Sequence, residues 1–378
     1  MGAEQPLCRK EADLRAAILD MLREEDPGRL EELWSTADRT RKAFVGDAVH
    51  LRGLVEISNR CVRQCAYCGL RAGNPTLERF RMSEEEIIDC AREADRQGMG
   101  TVVLQGGEDY GLSAEWIASI IRRIKSETPL AVTLSLGERS QEELETWREA
   151  GADRYFLRFE TSDESLYRAI HPRLPDRPVH RVEMLQRLQA LGYQAGSGIM
   201  IGIPGQGYES IAEDILLCRR LDLDMIGVGP WVPHPLTPLG SGRLKMAVGP
   251  GGQVPNSELM TYKVIALMRL CCPEANIPAT TALATLNPDR GYELALNRGA
   301  NVIMPNIASM EYRKRYEIYP KQDFLSRTGS TVQDIKARIR SIGRTVGTGP
   351  GARVAGNLKR DVFPPATDEL NTLAQCWS

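Results

Sequence analysis

Cys61-Val-Arg-Gln-Cys65-Ala-Tyr-Cys68 places three thiols within eight residues, in the spacing CxxxCxxC. Thiolate sulfur is a soft ligand that selects iron–sulfur clusters or zinc, and three thiolates on one short loop can hold three corners of a 4Fe-4S cluster. No fourth cysteine stands near, so one iron would be left open. An open iron suits chemistry, whereas a structural site closes its shell. A zinc knuckle short of one ligand, or three unrelated core thiols, are the competing readings.

The cysteine loop follows an apolar run, 51–58, that reads as a buried strand. From there, short apolar runs alternate with amphipathic stretches. Expected strands are 51–58, 101–105, 130–136, 154–159, 196–203, 223–228, 276–281 and 300–304. Between them lie expected helices such as Ser83–Gln97, Ala114–Glu127, Gln141–Ala150, Val179–Leu191, Tyr208–Leu221 and Asn256–Leu270. Eight βα repeats is the count that closes a parallel barrel, whose chemistry sits at the C-terminal strand ends. Periodicity alone does not separate this barrel from an open doubly wound sheet. Before the first strand, residues 10–45 read as two helices broken at Asp26-Pro27-Gly28. After Asp323 the chain turns basic, with a helix expected near 331–343 and a Gly- and Pro-rich tail, partly disordered, from Gly347 to Pro365.

Each strand end carries polar residues. Strand two ends in Gln105-Gly106-Gly107-Glu108-Asp109, where two glycines allow close backbone approach and an acid can receive an ammonium group. Strand three ends Thr133-Leu-Ser135-Leu-Gly-Glu138. Strand four ends with Arg158 and Glu160 on one face, opposite Leu157 and Phe159. That pair suits a zwitterionic ligand, guanidinium to carboxylate and carboxylate to amine or hydroxyl, though an internal salt bridge is the plainer alternative. Arg181, early in the next helix, offers a second cationic contact. Strand six runs into Gly229-Pro-Trp-Val-Pro-His-Pro-Leu-Thr-Pro238, a stiff loop. Thr280 and Thr281 end strand seven, and Met304-Pro-Asn306 ends strand eight. Tyr312, Tyr316 and Tyr319 then recur as one helical face, with Tyr312 read as core.

The cysteine loop, with Gly106-Gly107-Glu108 about 40 residues beyond it, resembles the radical S-adenosylmethionine (SAM) superfamily. The resemblance implies a (β/α)8 barrel of TIM type, one 4Fe-4S cluster on Cys61, Cys65 and Cys68, and SAM chelating the open iron. It places the Gly106-Gly107-Glu108 segment on the methionine end of SAM and the glycine-broken strand Gly196–Gln206 against the adenine, and it counts Tyr67, Gln105 and Ile201 among the cofactor-binding residues. Segments such as Val103-Leu-Gln-Gly-Gly-Glu-Asp, Gly202-Ile-Pro-Gly-Gln, Asn276-Ile-Pro-Ala-Thr-Thr-Ala and Ala300-Asn-Val-Ile-Met-Pro-Asn further resemble the HydE family of FeFe-hydrogenase maturases, from about residue 48 to 320. That likeness implies an iron–cysteine–carbonyl–cyanide precursor as substrate, other hydrogenase maturases as partners, and an electron donor. It assigns Ser135, Glu160 and Arg181 to SAM. Arg158, Thr280 and Thr281 line the substrate pocket, with Met225, Met304, Tyr316 and Tyr319 around it, and Arg158, Tyr316 and Tyr319 hold the catalytic positions. Sibling enzymes of the methylornithine synthase and biotin synthase type, which bind an amino acid or thiol substrate, are the alternative.

Two departures follow from the same likeness. Some members hold a second cluster on three later cysteines, whereas only Cys376 follows residue 272 here, so none is expected. Members often have His where this chain has Phe159.

Composition narrows the class. At 378 residues, with 42% hydrophobic and 26% charged residues, the chain is of ordinary globular type. A net charge of -2 gives no reason to expect nucleic acid or an anionic membrane as partner. Nine cysteines without a signal-peptide core point to a reducing cytoplasm rather than a disulfide framework. Cys90 and Cys218 read as small core residues, and Cys271-Cys272 lacks a metal partner at a usual spacing. The expected organisation is a helical extension over 1–47, a barrel over 48–320, and a helix with a tail over 321–378.

Overall fold

The computed structural model describes residues 4–174, 180–320 and 331–353, with side chains from residue 11. Val179, Asp323, residues 354–365, Cys376 and the side chain of Cys8 lie outside the described residues. Two helices, α1 (Glu4–Arg23) and α2 (Pro27–Val45), precede the first strand. Asp26 caps α2 through its side chain on Arg29 N, with Pro27 in the first helical turn, so the expected break is a helix start.

Then come β1 (Ala48–Ser58), α3 (Glu84–Arg96), β2 (Thr101–Gly106), α4 (Ala114–Glu127), β3 (Ala131–Ser135), α5 (Gln141–Glu149) and β4 (Arg154–Phe156). These are followed by α6 (Glu164–Ile170), α7 (Arg181–Ala190), β5 (Gln194–Ile201), α8 (Tyr208–Arg220) and β6 (Met225–Pro230). The run finishes with α9 (Glu258–Cys271), β7 (Pro278–Ala279), α10 (Thr281–Leu286), α11 (Gly291–Leu296), β8 (Val302–Ile303), α12 (Met310–Arg315), α13 (Val332–Ser341) and β9 (Thr345–Val346).

Every ladder is parallel, in the order β6-β5-β4-β3-β2-β1-β8-β7. The ring closes where Ile226 N donates to Asn276 O and Asn276 N to Asp224 O, both at 2.9 Å. The result is the (β/α)8 barrel. Alternation sorts the strands. Val55 and Ile57 of β1 and Val102 and Leu104 of β2 are fully buried under the helix layer, while Leu54, Glu56 and Gln105 line the interior. The covering helices start where the sequence says they should: Ser83 with Glu86 and Ser140 with Glu143 form reciprocal capping boxes.

Several expectations need correction. Strand four stops at Phe156, because the chain leaves the ladder and Glu160 sits at φ 65, bridging only to Ile199. Strands seven and eight pair over two residues each, and Thr280 at once becomes the N-cap of α10. Helix α12 ends at Arg315, so Tyr316 and Tyr319 follow it and share no helical face with Tyr312. Tyr312 packs on Phe80 and donates to Glu86, as a core-side residue should.

Residues 345–351, after α13, lie away from the barrel mouth. They seal the opposite end. Thr345 and Val346 pair with Ala48 and Val49. Pro350 O then accepts from Thr101 Oγ1 at 3.0 Å and Arg154 Nη2 at 2.9 Å, and Gly351 O accepts from Arg52 Nη2 at 3.2 Å. A Cβ on Gly100 would meet Gly349 O at 1.6 Å, so only glycine lets this plug seat. Among the described residues, no helix is long and apolar enough to cross a membrane.

Candidate active site at the barrel mouth

The cysteine loop crosses the C-terminal end of β1 and is tied down by backbone. Val62 N donates to Glu108 O at 3.0 Å and Ala66 N to Ile170 O at 2.7 Å. Arg79 donates to Asn59 O, Leu70 O and Arg71 O at 2.6, 2.8 and 2.7 Å. Gly107 lies against the loop so closely that a Cβ would meet Arg60 O at 2.2 Å and Cys61 Cβ at 2.9 Å. The stiff loop after β6 leans on it from the other side, with Leu239 N on Ala66 O at 3.0 Å and His234 beside Gly69.

Burial pushes all three thiols up, Cys68 to about 12, and each feels at least one other cysteine of the loop or a nearby carboxylate as a like charge. Arg63 and Arg181 oppose this at Cys65, and Arg79 opposes it at Cys68, which favours the thiolates a metal centre requires. Among the described residues no three His, Cys, Asp or Glu side chains are gathered tightly enough for a single metal ion.

Below the loop lies a cavity of about 660 Å³. Its wall brings together Tyr67, Cys68, Gln105, Arg158, Glu160, Thr280, Thr281, Met304, Tyr316 and Tyr319, all singled out from sequence. Arg158 Nε donates to Glu160 Oε2 at 3.0 Å, and Arg158 Nη2 to Ile199 O at 2.7 Å. Tyr67 OH donates to the other Glu160 oxygen at 3.1 Å. The pair is therefore an internal ion pair and a cavity wall at once. Gly198 and Gly227 make room for it: a Cβ there would come within 3.1 and 3.3 Å of Arg158 Nη1. Thr280 Oγ1 donates to Val228 O at 3.1 Å, and Gln105 Nε2 to the Tyr316 hydroxyl at 3.2 Å. Burial raises Tyr319 to about 12, so its phenol stays protonated at neutral pH.

Other expected residues sit behind the wall. Glu108 accepts from Arg63 at 2.8 Å and from Tyr110 at 2.5 Å, and the Glu138 backbone NH donates to it. Arg63 and Arg181 both pair with Glu138, and Arg181 also meets His171 Nε2 at 2.7 Å and Arg158 O at 2.5 Å. Burial, then Arg181 and Arg63, push His171 down to about 2, so it accepts as a neutral imidazole. Gly106, Gly107, Ser135 and Ile201 lie off the wall, and Met225 sits deeper, its sulfur 2.9 Å from Arg52 Nη1. Phe159 is packed in the core and is not among the residues lining the cavity.

Sequence reasoning passed over Glu56 on the wall and His171 behind it, and it noted Trp231 and Asn306 at strand ends without giving them a role. An inward-phase charge within the apolar run 51–58 was the available signal for Glu56.

The model of the radical SAM superfamily matches residues 55–218. Over 340 residues the chain is 41% identical to "[FeFe] hydrogenase maturase subunit HydE" of Thermotoga maritima, covering 90% of this chain and 93% of that one. The chain belongs to the HydE family of radical SAM enzymes. Its dependence on a 4Fe-4S cluster and SAM is that of the superfamily, and the three-cysteine loop above the cavity fits both. HydE is not its sole likeness. A 3-methylornithine synthase of Methanosarcina acetivorans is 30% identical over 310 residues, covering 81% of this chain and 82% of that one. Among solved structures, methylornithine synthase (PylB) aligns with a TM-score of 0.74 at 25% identity, covering 89% of this chain and 94% of that one. The maturase HydG from Carboxydothermus hydrogenoformans aligns at 0.73 and 19%, covering 99% and 90%, which speaks for the fold alone.

Proposed function

We propose that the chain acts in assembly of the FeFe-hydrogenase di-iron subcluster, on an iron–cysteine–carbonyl–cyanide precursor held inside the barrel. The carrying observation is that Cys68, Glu160, Arg158 and Thr280 share one cavity wall. Cys61, Cys65 and Cys68 would hold the cluster. When bound, the cluster and SAM supply reductive cleavage of the sulfonium to a 5'-deoxyadenosyl radical.

The chain's own residues position and enclose. Glu160, oriented by Tyr67 and Arg158, takes SAM hydroxyl or ammonium donors. Arg181, held by Glu138 behind the wall, would take the SAM carboxylate, with Ser135 and the Gly106-Gly107-Glu108 segment in support. The Arg158 guanidinium and the Thr281 hydroxyl would take the carboxylate of the substrate, joined by the Thr280 hydroxyl once it turns from Val228 O. Met304, Tyr316 and Tyr319 close the remaining wall, and Met225 supports the floor. The His234 loop and Glu317, whose carbonyl lies 1.9 Å from where a Gly69 Cβ would stand, cover the cysteine loop and exclude water. Other maturases deliver and receive the substrate, an external donor supplies the electron, and the reaction belongs in a reducing cytoplasm.

Anaerobic reconstitution with the partner maturases tests the reading by hydrogenase activation alongside 5'-deoxyadenosine release. SAM cleavage without activation would refute it. A carboxylate pocket serves an amino acid equally well, and the sibling reading rests on that chemistry and on the more distant likeness to a 3-methylornithine synthase, 30% identical against 41% for HydE. Conversion of added lysine to methylornithine would establish it.

A further inference from the structure

Two polar side chains in the cavity have no role in the scheme above. Glu56, on β1, is 5% exposed and lines the cavity, yet its Oε2 has no hydrogen-bond partner among the described residues. Asn306, just past β8, also lines the cavity, and its Nδ2 is equally without a partner. Its Oδ1 is engaged by Ala308 N at 3.0 Å, which fixes the amide so that its donor edge is the open one. The strands carrying them are adjacent, and Leu54 N on Pro305 O at 2.8 Å and Ile307 N on Leu54 O at 3.0 Å hold the two segments in register.

An orphaned buried carboxyl and amide are costly unless something supplies their partners, and a ligand cavity is where such groups accumulate. The groups facing Glu56 are Gln105 from β2, Asn306, Arg313 on α12 and Tyr316 beyond it. Burial raises Glu56 to about 8, with a loose hydrogen bond from Asn306, short of good geometry, and the charge of Arg313 pulling the other way. At neutral pH the side chain is then mainly the acid, a donor, and Asn306 Nδ2 beside it is a second donor. Arg158 and Thr280 form the other anchor of the same cavity.

We propose that Glu56 and Asn306 form a second substrate subsite, in which the carboxylic acid O–H and the amide N–H donate hydrogen bonds to an uncharged or anionic acceptor on the substrate whose carboxylate is held at Arg158. The subsite rests on the reading that this cavity takes the substrate, and it adds which chemistry the far end of that substrate presents. An ammonium group there would need an ionised Glu56, so the two chemistries make opposite demands on one side chain.

The test uses reconstituted full-length protein with Glu56→Ala, Glu56→Gln, Asn306→Ala and, as a marker of the cavity, Arg158→Ala. Cluster spectrum, SAM affinity and thermal unfolding are measured first. Hydrogenase activation per 5'-deoxyadenosine is then measured with the partner maturases. Glu56→Ala and Asn306→Ala should leave cluster and SAM affinity unchanged and lower the coupling ratio about tenfold, the loss expected for a buried hydrogen bond. Glu56→Gln keeps a neutral donor and should retain coupling. Glu56→Gln as impaired as Glu56→Ala would overturn the proposal in favour of an ammonium site, and full coupling in Glu56→Ala would overturn it outright.

Infrared spectroscopy supplies an arm independent of activity. The protonated-carboxyl C=O band at neutral pH should lose one component in Glu56→Gln, and an unchanged band would refute the neutral donor. If Arg158→Ala couples normally while Glu56→Ala does not, the carboxylate anchor fails and the second subsite stands. If the wild type itself activates no hydrogenase, the parent reading fails, and the infrared arm still decides the state of Glu56.

Discussion

Replacing Glu160 by Gln removes one charge and almost no volume from the residue proposed to take SAM. Its carboxylate takes Arg158 Nε on one oxygen at 3.0 Å and Tyr67 OH on the other at 3.1 Å. The amide oxygen can keep one of these, so the wall keeps its shape. What is lost is the negative charge that a SAM hydroxyl or ammonium would meet, along with the compensation of Arg158. A charge-assisted hydrogen bond contributes about 1.5–3 kcal/mol. The Arg158 side chain is 29% exposed, so solvent screens part of this, and the lower end applies. The expected result is a SAM dissociation constant raised about tenfold, since about 1.4 kcal/mol is one decade. Anaerobic titration calorimetry on reconstituted protein measures it, with iron content as the control that the cysteine loop is intact. Glu160 also holds a left-handed backbone at φ 65, a conformation that costs roughly 1–3 kcal/mol outside glycine. The substitution keeps that backbone, so unfolding temperature should change little. An unchanged SAM affinity, within about twofold, would leave the strand-four pair as an internal salt bridge and nothing more.

Each of Cys61→Ala, Cys65→Ala and Cys68→Ala should abolish reductive SAM cleavage and lower bound iron, read by 5'-deoxyadenosine release and iron assay; a fully active Cys65→Ala protein would refute the cluster assignment. Gly107→Ala should also lower iron content without touching a ligand, because its Cβ would stand 2.2 Å from Arg60 O and displace the loop. Normal iron loading in that variant would mean the loop shifts freely. Asp109 gives a pH signature: burial pushes its carboxyl up, but hydrogen bonds from Arg81 and Ser58 outweigh this and hold it below its ordinary value. A depressed carboxyl stabilises the fold above its unfolded pKa of about 3.9 and loses that stabilisation as pH falls. Unfolding temperatures of wild type and Asp109→Asn should therefore differ most near neutral pH and converge as pH falls through the depressed folded-state pKa, as scanning calorimetry would show.

The barrel was legible because its signals are local. Eight apolar runs with helices between them are readable one at a time, and serine and aspartate caps mark several helix starts to within a residue or two. The strand ends were less so. Strand four reads as six residues of alternation, but whether Leu157 and Arg158 remain in the ladder depends on the turn that carries Glu160 to φ 65, a constraint set by Ile199 on another strand. The tyrosine spacing misled for a related reason, since helix α12 ends before Tyr316 and the two later rings enter the cavity from irregular chain.

Within the site, residues that carry charge at strand ends were found, and residues that carry charge beneath those ends were not. Glu108 and Arg181 illustrate the limit from the other side. Motif position identifies them as important, yet only the fold shows that each is already engaged: Glu108 by Arg63, and Arg181 by Glu138 and His171. Three of the five N–H groups of the Arg181 guanidinium are thereby engaged, on Glu138, the Arg158 carbonyl and His171, and two remain. The engaged three fix the plane of the guanidinium. On the proposed assignment a SAM carboxylate would meet a donor whose direction the fold has already set, at no cost in ordering that side chain on binding.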